Sequence, residues 1–131
     1  MTSLVILLIS CITFAQNKEF QLSTHILDVS QGLPAQDVEI RLEKLNPKTN
    51  NWEFVSKNKT NKDGRIGDFL ASENENTGIY KFTFFTEDYF KKQDKQSFYP
   101  FIEVVFEIKD EKHYHVPITL SAFGYSTYRG S

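Results

Sequence analysis

The chain has 131 residues, a length that supplies one hydrophobic core and leaves no room for a separate cofactor domain. Fifteen Lys plus Arg against seventeen Asp plus Glu leave a formal charge of −2, which speaks against both a basic nucleic-acid surface and an acidic tail. One cysteine, Cys11, excludes an internal disulfide.

The first element is the apolar run LVILLISCITF, Leu4 to Phe14, shorter than the roughly 20 residues a membrane-spanning helix needs. It reads as the hydrophobic region of a secretory leader, with Thr13-Phe14-Ala15 before Gln16 as the cleavage site, although no Lys or Arg precedes it. Residues 1–15 are therefore expected to be a signal peptide and 16–131 the folded domain. That places the protein in the periplasm or outside the cell, with the cytoplasm as second choice. Lipidation of Cys11 within LLISC and an N-terminal core strand are the alternatives. Cleavage or lipidation would leave the domain without a thiol nucleophile.

The body reads as strands. QLSTHILD puts Leu22 and Ile26 on one face and Ser23 and His25 on the other. VEIRLEKL sets Val38, Ile40 and Leu42 against Glu39, Arg41 and Glu43, the period of two expected of a half-buried strand. IYKFTFF and IEVVFEI repeat the pattern with Tyr80, Phe82 and Phe84, then Ile102, Val104, Phe106 and Ile108. Turn signals fall between them at Gln31 to Pro34, Asn46 to Asn51 and Asn61 to Gly64. TEDYFKKQDK predicts one short helix, with Thr86 as its cap, Glu87 and Asp88 at its positive end, and Phe85 and Phe90 stapling the entry. In the last strand Tyr114, Val116, Ile118 and Leu120 take the apolar face, which turns His113, His115, Pro117 and Thr119 outward. The fold class is mainly β: a two-sheet β-sandwich of about eight strands with one short helix.

All three histidines of the chain then share an outward side. A neutral imidazole can take a proton from water and a charged one can return it to a leaving nitrogen, which is the minimum equipment for hydrolysing an amide. The His-x-His spacing also suits zinc with a third histidine, but no carboxylate or cysteine completes a recognisable ligand set. No metal or other cofactor is expected, and zinc at the histidine cluster is the alternative. Arg41 sits among glutamates on a solvated face. Arg65, directly after the Asp63-Gly64 turn, and Arg129, near the terminus, stand where a loop can aim a guanidinium at an anion. Ser131 offers a hydroxyl and a carboxylate without a triad around it, so it is read as a positioning or proton-sharing group.

Taken together, LSTHILD, GLPAQDVEIRL, TNKDGR and HYHVPITLSAFGYSTYRGS resemble the 5-hydroxyisourate hydrolases of the transthyretin-related family over Leu22 to Ser131. The terminal YRGS is the most specific part, since hormone-carrying transthyretins share the sandwich without that tail. The resemblance implies a transthyretin-like sandwich and hydrolysis of a purine-derived ring, 5-hydroxyisourate, to 2-oxo-4-hydroxy-4-carboxy-5-ureidoimidazoline. It implies catalytic roles for His25, Arg65, His115 and Ser131, and substrate binding by Arg65, Tyr128, Arg129 and Gly130. It assigns no such role to His113, and which histidine acts as base stays open. It further implies a homotetramer, a dimer of dimers, with sites in the groove where dimers meet. The alternative function is a carrier of a small aromatic ligand on the same sandwich, followed by an accessory β-domain without chemistry.

Overall fold

Residues 19–131 of a computed structural model are described below, and the expected leader at 1–15 lies outside them. The strand β1 (Phe20–Asp28) is the centre of one sheet. It pairs antiparallel with β2 (Leu33–Pro34) through its last residues and with β5 (Arg65–Ala71) through its first. Parallel partners are β8 (Tyr114–His115) and β9 (Ile118–Ser121), and β10 (Gly124–Thr127) closes the sheet against β9. The second sheet runs in the order β4 (Trp52–Lys59), β3 (Glu39–Leu45), β6 (Gly78–Phe84), β7 (Ile102–Ile108), antiparallel throughout.

Alternation decides which side chains fill the space between the sheets. Leu22, Ile26, Ile118 and Leu120 come from the β1 sheet, and Ile40, Leu42, Tyr80, Phe82 and Phe84 from the other, all essentially inaccessible to solvent. Phe82 of β6 meets Phe69 of β5 at 5.2 Å between ring centroids, a contact that joins the two layers. Burying a side chain of this size contributes about 1.5–3 kcal/mol. The β-sandwich with one short helix is thus as expected, with ten strands among the described residues because two of them, β2 and β8, are only two residues long.

Two local expectations change. The helix α1 (Thr86–Lys91) begins at Thr86 itself: the capping position falls to Phe85, which makes no side-chain cap bond, and the Thr86 hydroxyl is buried without a partner. The last strand is interrupted, because Pro117 has no N–H to give a ladder and is buried, not turned outward. Thr83 of β6 is buried too, between Phe82 and Phe84 in sequence. The acidic residues Glu87 and Asp88 do occupy the first turn of α1, and Lys91 pairs with Glu87 at 2.7 Å.

Two further contacts fix the frame. Asp28, at the end of β1, is fully buried and accepts the hydroxyl of Tyr89 from α1 at 2.7 Å, tying helix to sheet. Burial by itself would raise its pKa, but hydrogen bonds from Ser30, Tyr89 and Gln31 outweigh that and hold the carboxyl below its ordinary value. Burial and the Asp28 carboxylate push the Tyr89 phenol up to about 12. At the Asn61–Gly64 turn, Asn61 Oδ1 accepts the N–H groups of Asp63 and Arg65 at 2.9 and 3.0 Å. Gly64 has φ +70°, and a Cβ there would stand 2.7 Å from the Ile26 carbonyl oxygen. Only glycine lets this turn lie so close to β1.

Candidate active site

The outer face of the β1 sheet carries the site. Ser23 and His25 are two residues apart on β1 and project to the same side. Arg65, the first residue of β5, lies directly across from His25, and on the opposite edge of β1 Ser23 is in register with His115 of β8. One central strand thus sets a guanidinium on one flank and an imidazole on the other. The chain then returns along β10 and its last residues fold back: the Gly130 N–H donates to the His115 carbonyl at 2.8 Å. A Cβ on Gly130 would collide with the His115 ring, so this closure requires glycine.

The result is an open cleft of about 410 Å³ lined by Ser23, His25, Arg65, His113, His115, Tyr128, Gly130 and Ser131. His25, Arg65, His115, Tyr128, Gly130 and Ser131, all singled out from the sequence, converge here. Arg129 does not. Its guanidinium stacks on the Tyr114 ring at 4.4 Å and lines a neighbouring, more apolar cavity with Val105 and Phe106. Tyr128 borders both spaces, while Gly130 and Ser131 line the cleft alone.

Electrostatics suit proton transfer. Both imidazoles are held below the ordinary histidine value, chiefly by burial and then by the positive charge of Arg65; His25 and His113 add to the effect on His115. Each ring therefore stays neutral, able to accept a proton, to lower pH than a solvated histidine. Ser23 sits between two imidazoles: its Oγ is 2.7 Å from His115 Nδ1 and 2.8 Å from His113 Nε2. The other nitrogen of His113, Nδ1, lies 3.0 Å from the Phe20 carbonyl. Sequence reasoning assigned no role to Ser23 or His113. Alternation put both on the outer side, but their adjacency depends on parallel pairing of residues about ninety positions apart, which no local pattern reveals.

The zinc alternative finds no ligand set: among the described residues no three His, Cys, Asp or Glu side chains are grouped to hold a metal ion. Both nitrogens of His113 and one of His115 are engaged with Ser23 and Phe20 instead.

A family model described as HIUase/Transthyretin family matches residues 22–130. The chain belongs to this family. It is 44% identical over 111 residues to the 5-hydroxyisourate hydrolase of Mus musculus, covering 84% of this chain and 94% of the mouse protein. It is equally similar, at 44%, to the 5-hydroxyisourate hydrolase of Salmonella typhimurium, covering 84% of this chain and 80% of that one. The solved 5-hydroxyisourate hydrolase of Klebsiella pneumoniae superimposes with a TM-score of 0.73 at 36% identity, over 84% of this chain and 98% of that structure. Sea bream transthyretin in complex with thyroxine superimposes with a TM-score of 0.78 at 27% identity, over 84% and 94%. The proteins this chain resembles thus include both named 5-hydroxyisourate hydrolases and a transthyretin solved with thyroxine.

Proposed function

We propose that this family member is an enzyme of uric acid degradation, a hydrolase that opens 5-hydroxyisourate to 2-oxo-4-hydroxy-4-carboxy-5-ureidoimidazoline. The convergence of His25, His115, Arg65 and the chain terminus on one polar cleft carries this reading, since a carrier of an apolar ligand has no use for it. The relatives named as 5-hydroxyisourate hydrolases support it.

Chemically, a neutral imidazole removes a proton from water as its oxygen adds to a ring amide carbonyl. The Arg65 guanidinium, opposite His25, stabilises the oxyanion that forms. When the tetrahedral adduct collapses, the C–N bond breaks and the nitrogen leaves with the proton that the imidazole returns. Ser131 and Tyr128 line the cleft and are assigned to positioning the substrate ring. A positioned base contributes about 10²–10⁴-fold, so charge stabilisation by Arg65 and the geometry of binding supply the rest.

The test is to add purified protein to freshly generated 5-hydroxyisourate and follow its absorbance. Decay faster than the spontaneous rate, unaffected by chelator, is expected. Decay at the spontaneous rate would overturn the reading in favour of a carrier, and loss of activity with chelator would restore the zinc alternative. The proposal extends to a homotetramer with the cleft in a groove between dimers. It extends also to export, with residues 1–15 removed, which N-terminal sequencing of the protein recovered from its host tests directly.

A further inference from the structure

The geometry points to Ser23 and His113 as positioning residues for His115: together with the Phe20 carbonyl they hold it in the tautomer with hydrogen on Nδ1, leaving Nε2 unprotonated to act as the base. This deepens the hydrolase reading and rests on it for the role of the base, though not for the tautomer itself.

The argument follows the direction of each hydrogen bond. A carbonyl oxygen can only accept, so His113 Nδ1, 3.0 Å from the Phe20 oxygen, carries the hydrogen. In the neutral ring the other nitrogen, Nε2, is then an acceptor. Ser23 Oγ lies 2.8 Å from it and has a single proton, which it donates there. With that proton committed, the hydroxyl can only accept from its second neighbour, His115 Nδ1 at 2.7 Å, so Nδ1 of His115 bears the hydrogen. Its Nε2 is left with a lone pair and, among the described residues, without a hydrogen-bond partner. Free imidazole side chains favour the opposite tautomer, with hydrogen on Nε2, so the arrangement works against an intrinsic preference.

The same chain of bonds gives the charge a way out. After His115 Nε2 takes the proton of the attacking water, the Nδ1 hydrogen can pass to Ser23 Oγ while the hydroxyl proton moves to His113 Nε2. His115 is then neutral and the positive charge rests on exposed His113; as the C–N bond breaks the relay runs back, so that His115 is again an imidazolium, gives its Nε2 proton to the leaving nitrogen and returns to the neutral form with hydrogen on Nδ1. That ring is held at the Phe20 end of β1, whereas Arg65 lies opposite His25.

The test is nitrogen NMR of the full chain labelled with ¹⁵N-histidine, which distinguishes bare from protonated ring nitrogens and has three residues to assign. In the wild type His115 is expected with a bare Nε2. In Ser23→Ala the Nε2–H form should take over and kcat should fall about tenfold or more with little change in KM; Ser23→Thr, which keeps the hydroxyl, should restore both. His113→Leu frees the Ser23 proton to turn toward His115 Nδ1, and should also select the Nε2–H form. A wild-type His115 protonated on Nε2, or variants with unchanged tautomer and kcat, would overturn the inference. The spectra need no substrate, so a protein that fails to hydrolyse 5-hydroxyisourate yet shows the expected tautomer refutes the proposed reaction and leaves the positioning intact.

Discussion

At Gly130 a single hydrogen atom in place of a side chain allows the tail to lie on the His115 ring. Gly130→Ala should displace the tail or the imidazole, lowering kcat/KM by about 10-fold or more while the melting temperature changes little, because the contact lies outside the core. Steady-state kinetics beside a thermal melt check both halves of that statement. Arg65 acts on the same ring through its charge. Burial and the guanidinium keep His25 and His115 below the ordinary histidine value, so the base stays neutral as pH falls through that value and is lost only below it. Arg65→Gln removes one of the causes that lower both rings, so the imidazole pKa values rise and the acid limb of kcat/KM moves to higher pH. The plateau should also drop by about 10²–10³-fold. A limb that stayed in place would separate Arg65 from the titration of the base.

Elements transmit these constraints. The turn ending at Gly64 delivers Arg65 to β5, and Gly64→Ala meets both a left-handed φ and the Ile26 carbonyl. The variant should lose more than about 1 kcal/mol in urea unfolding and lose activity in proportion to the displacement of Arg65. The bond from Tyr89 to Asp28 ties α1 to the end of β1. Tyr89→Phe should cost about 1–3 kcal/mol, since a buried carboxylate loses a donor, with kcat nearly unchanged, as α1 supplies no residue to the cleft. Strands with one buried face were legible from sequence: β3, β6 and β7 show their period of two directly. β4 was not, because as an outermost strand most of its residues are exposed. The helix was visible but its cap was misplaced by one residue, since Phe85 enters α1 as part of the aromatic run leaving β6 and Thr86 is drawn into the interior.

For the whole molecule, the proposed homotetramer rests on the family resemblance and is open to direct test. Sedimentation at micromolar concentration should give four times the chain mass, and specific activity per chain should fall on dilution at the concentration where the tetramer dissociates. Full activity from a monomer would remove the groove from the proposal. The amino-acid sequence by itself determined the sandwich, the outward turn of the histidines and the family, because alternation and short motifs are local and survive without knowledge of pairing. Only the tertiary structure decided that Arg65 stands across from His25, that Arg129 turns onto Tyr114, and that Ser23 bridges His113 and His115. Those relations depend on which strand edges meet and in what register, and register is set by the packing of the entire core.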